Sequence, residues 1–147
     1  MDAQDTRQAI MQLYRDYENR DLEKILAALP DDFVFEWPHD PSTNAYTDAG
    51  ICRSKGELVQ HLEAIGRNFQ FNAYHATNIL VDGDRAAAQL QVDVTSVATG
   101  RRFSTTIAHF WSFEDGIPVR LVEYMDTALM ARQSTPTESD APPPVHA

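Results

Sequence analysis

The stretch RFSTTIAHFWSFEDGIPVRLVEYM, residues 102–125, decides the fold. Two runs rich in β-branched and aromatic residues flank Asp115-Gly116, a dipeptide that marks a hairpin because both residues tolerate a positive φ. If Glu114-Asp115-Gly116 forms a three-residue turn with Gly116 at positive φ, Phe113 pairs with Ile117 and the odd residues of both strands share one face. That face carries Ile107, His109, Trp111, Leu121, Glu123 and Met125, all apolar except one imidazole and one carboxylate. Ser104, Thr106, Ser112, Arg120 and Asp126 take the other. A two-residue turn segregates them less well, because Glu123 would then share a face with Ala108 and Phe110 while His109 pointed away. The first register is therefore adopted.

Upstream the same pattern continues. Phe71 to Val81, the turn Asp82-Gly83-Asp84, Arg85 to Val97 and the turn Thr99-Gly100 lead into Arg102, so the last part of the chain reads as a four-strand meander. Within Arg85 to Val97 the even positions Ala88, Leu90, Val92 and Val94 are apolar, and the odd positions Gln89, Gln91, Asp93 and Thr95 are polar. The polar row faces solvent, a dimer partner or a pocket, and periodicity does not choose among the three. Before the meander, Ser54-Lys55-Gly56-Glu57 has the form of a capping box, and Leu58, Leu62, Ile65 and Phe69 follow at helical spacing. Ile10, Leu13, Tyr14 and Tyr17 form the apolar stripe of a first helix over Thr6 to Glu18. A short second helix, capped by Asp21, carries Leu22, Ile25, Leu26 and Leu29 up to Pro30. Phe33 to Trp37 reads as a short strand that Pro38 ends, and Pro38 to Arg53 as a long loop bordering a site.

The expected fold is α+β: a curved, mostly antiparallel, cone-like sheet packed against three N-terminal helices, with a pocket between the layers. The chain of 147 residues is 43% hydrophobic and 23% charged, enough for one domain. That domain is expected over residues 1–132, and the Pro, Ser, Thr and acid-rich tail 133–147 is expected to stay disordered. A formal net charge of −10 without a Lys/Arg stripe argues against nucleic acid and anionic membranes as partners. With neither a signal peptide nor a membrane-length apolar run, the sequence reads as a cytoplasmic protein. Cys52 is the single cysteine. His39, His61, His75 and His109 form no HxH, HExxH or carboxylate cluster at ligand spacing, and no phosphate loop or nucleophile elbow occurs. The sequence therefore calls for no metal and no cofactor.

The order of these elements, with Tyr14, Asn19-Arg20-Asp21-Leu22, Asp31-Asp32, Phe113-Glu114-Asp115-Gly116 and Glu123-Tyr124-Met125-Asp126, resembles the nuclear transport factor two-like superfamily and, within it, the SnoaL-like polyketide cyclases. The resemblance covers roughly residues 5–132 and implies a homodimer assembled through the outer sheet face, with a small-molecule ligand in the pocket. In the aklanonic acid methyl ester cyclase type the acid/base carboxylate of the final strand matches Glu123, and a His matches His109. The phenazine-biosynthesis A/B type likewise places its acid/base Glu at Glu123. In the limonene epoxide hydrolase type the two acids fall on Glu123 and Asp93, but the Arg between them falls on Gln91, and its water-holding Tyr and Asn fall on Phe35 and Trp37. The ketosteroid isomerase type matches only at Tyr14: its base falls near Trp37 and its oxyanion-hole Asp on Ala108.

The physical reading centres on His109 and Glu123. Burial disfavours the charged form of a carboxylate, a charged imidazole beside it favours that form, and the opposition lets such a pair share one proton. With His109 diagonal to Glu123 across the hairpin, the carboxylate is expected to remove a proton α to a carbonyl while the imidazole donates to the developing enolate oxygen. Asp93, Gln91 and Tyr14 are expected to orient the substrate, and Phe35, Trp37, Phe69, His75, Trp111 and Met125 to line the pocket. The expected function is cofactor-independent acid/base chemistry, of isomerase, cyclase or dehydratase type, on a small apolar ring-containing substrate. The rival is a non-catalytic binding or dimeric accessory protein in which His109 and Glu123 satisfy only each other.

Overall fold

The computed structural model describes residues 2–38 and 50–140, so His39, Asp40 and most of the loop expected after Pro38 lie outside the described residues. Helix α1 (Ala3–Glu18) starts earlier than its apolar stripe, because Asp2 and Asp5 form a capping box that satisfies the first-turn N–H groups. The chain reverses at Arg20 (φ 57°), and Asp21 caps the short helix α2 (Leu22–Ala27). Strands β1 (Val34–Glu36) and β2 (Ile51–Cys52) follow, then helix α3 (Lys55–Asn68), capped by Ser54 as its sequence predicts. The meander consists of β3 (Phe69–Asp82), β4 (Arg85–Ser96), β5 (Arg102–Glu114) and β6 (Ile117–Tyr124). Phe69 ends α3 and opens β3 at the same time, so it belongs to the sheet rather than to the helix face.

The six strands form one curved, unclosed sheet in the order β2-β1-β6-β5-β4-β3. All neighbours are antiparallel except β1 and β6, which run parallel with Phe35 beside Leu121. Breaks in the β3–β4 register, between Phe71 and Ala73 and between Ala76 and Asn78, bend the edge strand. The even residues Leu90, Val92 and Val94 of β4 are at most 1% exposed and form the floor of the core. Burying each stabilises the fold by roughly 1.5–3 kcal/mol. Among the described residues no helix is long and apolar enough to cross a membrane.

The β5–β6 turn corrects the expected hairpin geometry. Asp115 (φ 49°) and Gly116 (φ 78°) both sit at positive φ, the signature of a two-residue type I′ turn, and Glu114 pairs with Ile117. Phe113 then pairs with Pro118, but Ser112 pairs with Arg120, so Val119 is an extra residue that bulges out of β6. The bulge restores the odd-residue face that a plain two-residue turn would have destroyed. His109 consequently stands directly opposite Glu123 rather than diagonal to it.

The described residues continue beyond β6. Asp126 caps a further helix, α4 (Thr127–Ser134), whose Met130 is buried. The segment after Arg132 is tied back: Thr99 donates to the Gln133 carbonyl at 2.7 Å, and Arg101 donates to the Arg132 carbonyl at 2.9 Å and pairs with Asp140. These contacts to a loop cation hold the described residues 133–140, with the turn Glu138–Asp140, against the domain where apolar burial does not.

Candidate active site

Tyr14 leaves the stripe of α1 and reaches β5, where its hydroxyl lies 2.9 Å from His109 Nδ1 and accepts the Trp111 indole N–H at 2.9 Å. The other ring nitrogen of His109, Nε2, lies 2.9 Å from Glu123 Oε1. All four side chains are buried, with His109 3% and Glu123 5% exposed. The residues opposite His109 and Trp111 on β4 are Ala88 and Ala86, small enough to leave the rings their space. One proton arrangement satisfies every group. Indole can only donate, so the Tyr14 oxygen accepts from Trp111 and its hydroxyl hydrogen goes to Nδ1; Nε2 then carries the ring proton and gives it to the carboxylate. A charged His109 would donate from both nitrogens and strand the Tyr14 hydrogen. Burial holds the Tyr14 phenol well above its usual range, the Trp111 bond opposes this, and the charge of Glu123 adds to it.

This chain of bonds opens on a cavity of about 100 Å³ between the sheet and α1, α2 and α3. Tyr14, Tyr17, Phe33, Phe35, Phe71, Tyr74, Trp111, His61, His109 and Glu123 line it, with Leu and Ile side chains between them. Tyr17 packs against Tyr74 with ring centroids 4.6 Å apart, and burial, then the charge of Glu123, pushes its hydroxyl up to about 12. His61 enters from α3. Its ring stacks on Trp37 at 4.0 Å, and burial pushes its pKa down to about 4 from 6.5 against the opposing pull of Glu123.

The structure thus gathers Glu123, His109, Tyr14, Trp111 and Phe35 at the cavity. It corrects the expectation that Asp93 and Gln91 turn inward. Both lie on the outer sheet face: Asp93 takes a bidentate bond from Arg102 (2.8–3.1 Å) and one from Asn72 (3.3 Å), and Gln91 accepts from Thr106 at 3.0 Å. Arg102, ahead of every other partner, holds the Asp93 carboxyl below its usual range. Asp93 and Glu123 therefore cannot act on one ligand, and Asp93→Ala is expected to leave any activity at the cavity unchanged within about twofold. His75 is exposed on the edge strand, 3.6 Å from Glu18, and is not a wall residue. Trp37 backs His61 from behind, while Phe69 and Met125 pack in the core away from the lining. His61, Tyr17 and Tyr74 are the polar wall residues missing from the sequence-based set. The signal for His61 was present, since it lies three residues after Leu58 and four before Ile65 on the apolar face of α3.

The native state keeps His61 neutral down to about pH 4, whereas the unfolded chain protonates near 6.5. Between these values the unfolded state binds more protons, so stability falls as pH drops through that window, by on the order of 2–3 kcal/mol. Urea midpoints measured at pH 7 and pH 5 read this directly, and His61→Phe is expected to lose that component.

The sequence profile of the SnoaL-like domain matches residues 10–124, most of the chain. The protein belongs to the SnoaL-like family. A nuclear transport factor two-like protein of unknown function from Burkholderia pseudomallei superposes on this SnoaL-like chain with a TM-score of 0.81, at 25% identity over 90% of this chain and 98% of that one. TerC, solved with polyporic acid, gives 0.75 at 21% identity over 88% and 98%. A LEH-like epoxide hydrolase from M. tuberculosis gives 0.66 at 17% identity over 89% and 90%. The last two likenesses are of fold. No curated protein matches the chain. Among the described residues of this SnoaL-like domain, no three His, Cys, Asp or Glu side chains gather as metal ligands would.

Proposed function

We propose that the protein is a cofactor-independent acid/base enzyme, of isomerase, cyclase or dehydratase type, with Glu123 as the base that removes a proton α to a carbonyl. The observation that carries this reading is a carboxylate at the wall of an aromatic cavity, with one oxygen held at 2.9 Å by His109. Such a carboxylate faces the ligand from a fixed rotamer in surroundings poor in water, where its basicity is not spent on solvent. His109 takes a different part from the one its sequence position suggests. Both of its nitrogens are engaged, by Tyr14 and Glu123, so it positions the base and does not touch the substrate. Tyr14 and Trp111 hold His109 in turn.

The lining favours a small, neutral, ring-containing ligand, because aromatic walls supply contact area and the negative charge of Glu123 repels anions. That a relative of the same fold was solved with polyporic acid agrees with a ring-containing ligand. The test is α-proton exchange on 2-tetralone, a neutral bicyclic ketone, in D2O, followed by proton NMR. Exchange is expected to exceed the buffer rate with the wild type. If the ketone binds but the wild type and Glu123→Gln exchange it equally slowly, the protein is a binding module. The closed bond chain from Trp111 to Glu123 is the observation that favours this second reading.

The homodimer is part of the same proposal. Phe110 and Tyr124 stand 51% and 53% exposed on the outer sheet face, in edge-to-face contact at 5.9 Å. Paired apolar rings exposed on a sheet are an assembly surface more than a solvated one. Light scattering is expected to give twice the chain mass for the wild type and the single-chain mass for Phe110→Glu with Tyr124→Glu.

A further inference from the structure

Tyr14 and Tyr17 stand one turn apart on α1 and both line the cavity, yet the fold uses their hydroxyls differently. The Tyr14 oxygen accepts from Trp111, and its hydrogen goes to His109. Tyr17 is held by its ring instead, packed on Tyr74 with centroids 4.6 Å apart and edge-to-face on Phe71 at 6.4 Å. Among the described residues its hydroxyl makes no hydrogen bond. A phenylalanine would make both ring contacts and bring no hydroxyl to desolvate. A phenol at that wall is therefore satisfied by what fills the cavity. Burial, and after it the charge of Glu123, pushes the hydroxyl up to about 12, so it carries its hydrogen throughout the neutral range. Tyr17 is thus a donor fixed by ring packing that faces the same space as the Glu123 carboxylate. Proton abstraction next to a carbonyl builds negative charge on the oxygen. A donor already in place stabilises that charge more than it stabilises the ketone.

We propose that Tyr17 donates its hydroxyl hydrogen to the carbonyl, and then the enolate, oxygen of a ligand whose α-carbon faces Glu123, which makes the site specific for neutral ketones and enols. The inference rests on the function proposed above, with the cavity as the ligand site. The carbonyl then points towards α1 and β3, and the reacting carbon towards β6. In the step itself the α C–H bond breaks and an O–H bond forms on Glu123. The electron pair becomes the C=C bond of the enolate as the carbonyl π pair moves onto oxygen. Tyr17 keeps its proton and only strengthens its bond to that oxygen. The proton on Glu123 then returns to carbon, at the same position for exchange or at a conjugated one for isomerisation.

The test is the infrared carbonyl band of 2-tetralone labelled with carbon-13 at the carbonyl, bound to the wild type, Tyr17→Phe, His61→Phe and Glu123→Gln and read against the ketone in cyclohexane. A red-shifted band is expected in the wild type, Glu123→Gln and His61→Phe, and its loss in Tyr17→Phe, which keeps the ring contacts. Fluorotyrosine in place of Tyr17, a more acidic phenol, is expected to move the band further than the wild type does, an effect that ring packing alone does not produce. Exchange is expected to fall by roughly 10²- to 10³-fold in Tyr17→Phe, with ketone affinity changed by less than about tenfold. A shift retained in Tyr17→Phe, or lost in His61→Phe instead, overturns the assignment, and so does a wild type that does not bind the ketone saturably. A shift that depends on Tyr17 without accelerated exchange leaves Tyr17 as the carbonyl donor and removes Glu123 as the base. Accelerated exchange with the shift retained in Tyr17→Phe keeps the base and removes Tyr17.

Discussion

Glu123→Gln is expected to slow α-proton exchange on bound 2-tetralone by roughly 10²- to 10⁴-fold, the range that one well-placed general base supplies. The substitution suits this question because the amide oxygen of Gln accepts the His109 Nε2–H at the position where Oε1 now stands, 2.9 Å away. Cavity shape and the bond chain through Tyr14 and Trp111 therefore persist, and only basicity is removed. Ketone affinity is expected to change little, since the ring contacts are untouched. Glu123→Asp provides the contrast: it keeps the charge but withdraws the carboxylate from His109 by one methylene, so exchange is expected to fall while the basic group remains. If Glu123→Gln retains wild-type exchange, the base lies elsewhere.

His109→Leu is expected to destabilise the fold by about 3–5 kcal/mol, read as a lowered urea midpoint at pH 7. Leucine approximates the volume of the ring, so little of this loss is packing. The cost comes from what remains: a carboxylate 5% exposed that has lost the donor at 2.9 Å, and a Tyr14 hydroxyl that has lost its acceptor. The double variant His109→Leu with Glu123→Leu removes the buried charge as well. It is expected to be more stable than His109→Leu alone, because replacing both members of a buried pair by apolar groups costs far less than orphaning one. A double variant less stable than the single one would show that the pair contributes through packing and not through charge satisfaction.

Most of the sheet is legible in the chain itself. Alternation in β4 places Leu90, Val92 and Val94 in the core, Asp-Gly and Thr-Gly pairs mark the reversals, and Ser54 caps α3. What periodicity leaves open is the use of the opposite face. The polar row of β4 reads the same whether it lines a pocket or meets a neighbouring strand, and here Asp93 is taken up by Arg102, which lies one pair away. His61 was hidden for the opposite reason. A histidine at a helical core position looks like an isolated ligand until α3 is folded over Glu123 and the two share a wall. Helix α4 and the turn at Glu138–Asp140 are held by Arg101, a contact across the sequence that local composition does not contain.

Val119 bears on what this molecule tolerates. One unpaired residue in β6 works like a reading frame for everything after it: drawing Val119 into the ladder, with the chain otherwise unchanged, would pair His109 with Val122 and set Glu123 opposite Ala108, facing away from the cavity. Every residue of the site would still be present, in the same order, in a chain of the same length. Deleting Val119 instead closes the bulge and leaves Glu123 opposite His109, so the orientation of the base depends on how β6 pairs and not on how many residues it has.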